Sequence, residues 1–276
     1  MQTPLVRVLM CLALLSPAAL RAEETPPEAP VSRSRTVLLL GDSLIVTSFG
    51  EALEERLNGQ PGVRAVRRAK SSTGLARPDF FDWMQVGREE VEKHQPDVVV
   101  VIMGGNDGQG LTDGQGKAMA QWGASHWTAT YRQRVEDFLG VLEAPGRRVL
   151  WVALPITGLP RFERKLGIIR AVLREAVSAR GGAVHLDTRP FFTDPRGTLL
   201  KEAPVDGFRK PMRLRMEDGV HFTLAGGRYF AGKVHPEVVR LLEAPAPAAP
   251  AEPEAPAVCR EPEADLSLVP LVFTRP

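Results

Sequence analysis

Five largely aliphatic runs mark the chain: TVLLLG (36–41), VRAVRRA (63–69), DVVVVIMGG (97–105), RRVLWVAL (147–154) and GAVHLDT (182–188). Apolar stretches of this length predict strands, and continuous ones suit a sheet covered on both faces. Between them apolar residues recur every three or four positions, in FGEALEERL (49–57), FFDWMQVGREEVEKH (80–94), YRQRVEDFLGVLE (131–143) and RKLGIIRAVLREAVSAR (164–180). That is the period of amphipathic helices. A closing helix is expected over LAGGRYFAGKVH (224–235), with Thr223 as its cap. Strand and helix in alternation predict an α/β fold with a mostly parallel central sheet, whose functional groups gather beyond the carboxyl ends of the strands.

The pattern stops at both ends. Residues 1–22 combine Arg7, the apolar VLMCLALL and the small-residue exit SPAALRA, the layout of a secretory signal cleaved after Ala22. The apolar run is short for an uncut anchor, and Cys11 lacks the preceding small residue of a lipoprotein site. Residues 23–34 are charged and Pro-rich and predict a linker; residues 244–276 are Pro/Ala-rich and predict a disordered tail. The folded unit is therefore expected over residues 35–243.

Composition narrows the chemistry. Without the signal, Cys259 is the remaining cysteine, which excludes an internal disulfide and a cysteine-built metal site. Loss of Arg7 and Arg21 takes the formal charge from +2 to about zero, so no basic field points to nucleic acid. An exported protein, periplasmic or secreted and without a transmembrane anchor after cleavage, is expected to act on something small or on an envelope polymer. Two segments are longer than a scaffold needs, 106–128 with DGQG at 107–110 and 113–116, and about 189–220. Loops of that length are usually functional.

Ser43 falls directly after the first strand, in Gly41-Asp42-Ser43-Leu44. Such a turn is common before a helix, so a nucleophile there needs a base and donors for an oxyanion. His94, His126, His185 and His235 sit at a helix end, in a long loop, in a strand and in the last helix. His221 differs: Asp218 precedes it by three residues in EDGVHFT, close enough for a tight turn to aim the carboxylate at Nδ1 and leave Nε2 free. Asn106 follows the third run directly, and Gly74 in SSTGLARPDFF lets a backbone N–H approach a ligand. Together the Ser43 N–H, the Gly74 N–H and the Asn106 amide make three donors for one oxyanion.

As an ordered set, GDSL (41–44), the Gly74 loop, GGND (104–107) and DGVH (218–221) resemble the SGNH or GDSL hydrolase superfamily. The resemblance implies a flavodoxin-like three-layer α/β/α sandwich, with Ser43 as nucleophile, His221 as base, Asp218 as its partner, and Gly74 and Asn106 in the oxyanion hole. STGLARPDFFDW, MGGNDGQG and RPFFTD look further like an exported bacterial branch of poorly defined function. Members of the superfamily include esterases, lipases, carbohydrate deacetylases and envelope O-acetyltransferases.

The expectation is thus a serine esterase that removes a short acyl group, acetyl above all, from an envelope glycan such as peptidoglycan or from a small ester, without metal or cofactor. The alternatives are transfer of the acyl group onto an envelope polysaccharide, and a catalytically silent glycan-binding module. Weaker candidates for substrate contact are Arg77 beside Gly74, and Trp122 and Trp127 as sugar-stacking or core residues. Asp107 is expected to order its loop, and Arg189 and Arg215 to sit exposed near the entrance.

Overall fold

The computed structural model describes residues 34–245. The signal, linker and tail expected at 1–22, 23–34 and 244–276, Cys259 included, lie outside the described residues but for Ser34, Ala244 and Pro245. In chain order the first elements are β1 (Arg35–Gly41), α1 (Ser43–Val46), α2 (Ser48–Asn58), β2 (Val63–Ala69), α3 (Trp83–His94), β3 (Val98–Ile102), β4 (Leu111–Thr112), β5 (Ala118–Ala120) and α4 (Trp127–Leu142). Then follow β6 (Arg148–Val152), α5 (Pro160–Ser178), β7 (Ala183–Leu186), β8 (Glu202–Ala203), β9 (Met212–Arg213) and α6 (Leu224–Glu243).

The five aliphatic runs form one parallel sheet in the order β2-β1-β3-β6-β7. From β1 the chain steps outward to β2 and then crosses back to β3, and right-handed crossovers put the helices of those two moves on opposite faces. Packing follows that rule: α2 lies on α6, while α3 packs on α4 and α4 on α5. The result is the flavodoxin-like three-layer sandwich, with the reversal of strand order between β1 and β3. Val37–Leu40 and Val98–Ile102 are buried at every position, as strands covered on both faces must be.

Helix starts depart from the apolar period in three places, α5 beginning at Pro160, one turn before Arg164. α3 begins at Trp83 because the Asp82 carboxylate accepts from the N–H groups of Met84 (2.8 Å) and Gln85 (3.1 Å), an N-cap that leaves Pro78–Phe81 outside the helix. α4 begins at Trp127, one turn before Tyr131, and the added turn buries Trp127. The first long loop carries the β4–β5 antiparallel pair, and the second the β8–β9 pair. Neither pair has a hydrophobic run of its own long enough to announce it. Among the described residues no helix is long and apolar enough to cross a membrane.

Candidate active site

β1 and β3 end side by side, with Gly41 paired to Ile102. A side chain at Gly41 would begin 2.2 Å from the Ile102 carbonyl oxygen, so only glycine lets the strands close there. Ser43 leaves β1 as the first residue of α1, whose cap is Asp42; the buried Asp42 carboxylate accepts from the Leu44 N–H at 3.0 Å. Burial pushes the Asp42 carboxyl up to about 7, against the pull of that backbone donor.

From the other end of the chain, the loop before α6 brings His221. Arg215 and Phe222 form an isolated antiparallel bridge, and the Met216 N–H donates to the His221 carbonyl at 2.8 Å, closing a loop that carries Asp218 and His221. His221 Nε2 lies 2.8 Å from Ser43 Oγ, and His221 Nδ1 lies 2.7 Å from Asp218 Oδ2. Asp218 Oδ1 also accepts from the N–H groups of Val220 (2.8 Å) and His221 (2.9 Å). Partial burial alone would raise the Asp218 carboxyl; the imidazole and the two backbone donors outweigh it and hold it down to about 2. An ionised carboxylate only accepts, so the Nδ1 proton points at Asp218 and Nε2 is left to accept from the serine hydroxyl.

The donor side is built by two loops clasped together. Asn106 Nδ2 donates to the Thr73 carbonyl at 2.9 Å, which fixes the peptide leading into Gly74. The next residue, Asp107, is fully buried and accepts from Leu75 N–H (3.0 Å), Ala76 N–H (2.9 Å) and the Tyr131 hydroxyl (2.6 Å). Arg134 grips the same segment by its carbonyls, donating to Leu75 O and Ala76 O at 2.9 and 2.8 Å. The N–H groups of Ser43 and Gly74 have no acceptor among the described residues.

A cleft of about 280 Å³ opens on Ser43, His221, Asp218 and Asn106, with Leu154, Pro155 and Phe162 as an apolar wall. Gly74 and Arg77 line a second, smaller cavity on the far side of Asn106. The structure thus brings Ser43, Asp218, His221 and Asn106 to one cleft and puts Gly74 in the lining of the second cavity, joined to Asn106 through Thr73. Arg77 is held away from it by a bidentate pair with Asp79 (2.7 and 2.9 Å). Trp127 is 2% exposed, stacked on Tyr131 with its Nε1 donating to Gln109 O at 2.7 Å, which leaves no face for a sugar. Trp122 packs edge-on against Trp127 beneath Lys165, outside the cleft. Both tryptophans belong to the support of Asp107 and Tyr131.

Arg215 overturns the exposed reading. It is 7% exposed and lines the cleft, donating to Val220 O at 2.5 Å and Ile156 O at 2.8 Å, with its guanidinium 3.9 Å from the centre of the Phe222 ring. Burial pulls its pKa down to about 9. It ties the loop of Asp218 and His221 to the segment after β6. That segment is tied in turn to α5, since Arg170 donates to Leu154 O and Pro155 O and pairs with Glu163. Two alternating charged residues in RLRMED carry no sign of this in the sequence. Among the described residues no group of three or more His, Cys, Asp or Glu side chains is placed to hold a metal ion.

Against known proteins, no curated protein sequence matches the chain. Solved structures resemble it in fold. "TesA" is 22% identical, with 75% of this chain and 99% of that chain covered and a TM-score of 0.50. The psychrotrophic esterase EstA from Pseudoalteromonas sp. is 11% identical, with 76% and 100% covered and a TM-score of 0.50. Axe2, an acetyl xylan esterase from Geobacillus stearothermophilus, is 17% identical, with 76% and 95% covered and a TM-score of 0.50. These likenesses agree with the sandwich described above as the SGNH hydrolase fold. A family described as "Protein of unknown function (DUF459)" matches residues 36–237, nearly the whole sandwich, and it is to this family, built on the SGNH fold, that the chain belongs.

Proposed function

We propose that the protein is a serine ester hydrolase that removes a short acyl group, acetyl above all, from an exported or envelope glycan. The observation that carries this reading is the unbroken contact chain from Ser43 Oγ through His221 to Asp218, at 2.8 and 2.7 Å, at the reversal point of a parallel sheet. The esterases among the structural neighbours are compatible with it.

In this mechanism His221 Nε2 takes the Ser43 hydroxyl proton as Oγ bonds to the ester carbonyl carbon. The oxyanion that forms accepts from the N–H groups of Ser43 and Gly74 and from Asn106 Nδ2, of which each is worth about 3 kcal/mol in the transition state. Asp218 stabilises the imidazolium. His221 then returns the proton to the leaving alcohol as its C–O bond breaks, giving the acyl-enzyme. Water, deprotonated by the same nitrogen, attacks that ester; the bond from the acyl carbon to Ser43 Oγ then breaks, His221 returns the proton to Oγ, and the acid leaves. The narrow apolar wall of Leu154, Pro155 and Phe162 favours a short acyl group, and the steps call for no metal or cofactor.

The test is turnover of p-nitrophenyl acetate by the protein without residues 1–22 and by its Ser43→Ala variant, with peptidoglycan-derived oligosaccharides as optional acceptors. Release of free acetate that falls about 10⁴-fold or more in the variant supports hydrolysis. Acetyl appearing on the sugar instead makes the protein an acyltransferase. Equal rates from both proteins, with no fluorophosphonate labelling of Ser43, sink the catalytic reading.

A further inference from the structure

Resting on the glycan esterase reading, we infer that the cavity beyond Gly74, with Phe80 as its platform, is the subsite that holds the sugar carrying the ester. It has a volume of about 170 Å³ and is lined by Ser72, Arg77, Phe80 and Gln109 as well as Gly74 and Asp107.

Phe80 is 62% exposed, the most exposed of the large apolar side chains among the described residues. Its backbone is held in a turn. The N–H groups of Phe80 and Phe81 both donate to the Arg77 carbonyl at 3.1 Å, and Asp79, just before Phe80, is bound by Arg77 and by the Thr112 hydroxyl. A phenyl ring held out in solvent costs hydration with no packing in return. It gains that packing if an apolar face is laid on it.

The groups around the ring say what kind of face. Among the described residues the Ser72 hydroxyl has no protein partner, and Ser72 holds a left-handed backbone, φ 62°, a conformation that costs a non-glycine residue energy and gathers at ligand sites. The Gln109 side chain donates to the Asn106 carbonyl at 2.7 Å, which leaves its amide oxygen free. The Arg77 guanidinium is held in plane by Asp79. An aromatic plate ringed by hydrogen-bonding groups open to solvent matches a pyranose, which shows C–H bonds on its faces and hydroxyls at its rim.

The position relative to the nucleophile completes the assignment. Asn106 lines the main cleft, Gly74 the smaller cavity, and the two residues are joined through the Asn106–Thr73 hydrogen bond. An ester carbonyl held between those donors directs its acyl group to the apolar wall at Phe162 and its alcohol over Gly74 to Phe80. The sugar platform is then Phe80, in place of the buried Trp127.

The test measures sugar binding without catalysis. In the Ser43→Ala protein, chitotetraose and xylotetraose are titrated by calorimetry and by saturation-transfer NMR, alone and with Phe80→Ala, Phe80→Trp or the distant, exposed Ile168→Ala added. The expected result is binding of at least one sugar, weakened tenfold or more by Phe80→Ala, kept by Phe80→Trp and untouched by Ile168→Ala. Equal binding by the Phe80→Ala protein, or no binding of either sugar by the parent at millimolar concentration, overturns the subsite. Failure of the active protein to cleave p-nitrophenyl acetate while the Phe80 dependence holds would count against the esterase reading and leave the subsite standing.

Discussion

The Asp107 carboxylate stands where a side chain at Gly74 would begin: a Cβ there would lie 2.1 Å from Asp107 Oδ1. The glycine is demanded by its neighbour's carboxylate, and that carboxylate is what holds the following two N–H groups in line. Gly74→Ala must therefore push the loop off Asp107. It is expected to lower kcat for p-nitrophenyl acetate about 10²-fold, as for a lost oxyanion donor, and to lower the Tm as well.

The same clasp predicts strong coupling between Asp107 and Tyr131, whose hydroxyl donates to the carboxylate at 2.6 Å in a fully buried site. Asp107→Ala leaves two N–H groups and one hydroxyl without a partner, and is expected to cost about 3 kcal/mol or more. Tyr131→Phe should add little once Asp107 is gone. Urea denaturation of the two single variants and the double variant gives the coupling directly.

Legibility in the sequence followed physical cause. β1, β3 and β6 are buried on both faces, so their composition alone betrays them, while β2 and β7, only partly buried, take their place from the alternation of strand and helix; Ser43, Asn106 and His221 could be placed because each abuts such a run or a tight turn. Phe80 was read as helix because its apolar spacing continues that of Trp83; the Asp82 cap, a contact of one carboxylate with two N–H groups, decides otherwise. Arg215, expected exposed, is buried, and of the two roles open to Trp127 the structure takes the core one. Their burial depends on chain segments distant in sequence, Ile156 for the one and Gln109 for the other, and no local period records that.

Arg215 gives a third prediction. Arg215→Met leaves the Val220 and Ile156 carbonyls unpaired beside the catalytic loop. The expected effect is a 10- to 100-fold fall in kcat with KM changed less than threefold, partly restored by Arg215→Lys, which reaches one carbonyl at a time. A fall confined to KM would show that the guanidinium serves the substrate and not the loop.

Stability should depend on pH through Asp42. Its carboxyl is raised from about 3.8 to about 7 in the folded protein. Between those values the native state keeps a proton that the unfolded chain has released, so stability is full below about pH 4 and declines as pH rises through 7. Asp218 acts in the opposite sense, since its lowered pKa gives stability that is lost as pH falls from about 4 to about 2. Asp42→Asn, which keeps an acceptor for the Leu44 N–H, is expected to flatten the decline between pH 4 and 7. Guanidinium unfolding across that range measures it; an unchanged slope would assign the effect to Asp107, which burial also raises.

The pairing of Gly41 with Ile102 fixes how far Ser43 stands from Asn106. That spacing is a property of two buried strands and not of any loop. Within the two long loops Asp107 and Arg215 are bound to the site, whereas the exposed turns at 113–117 and 194–198 close on themselves and are free to lengthen, shorten or change composition. Grafting foreign turns at these two places is the direct way to ask how far the rim of the cleft can be rebuilt around a fixed sheet.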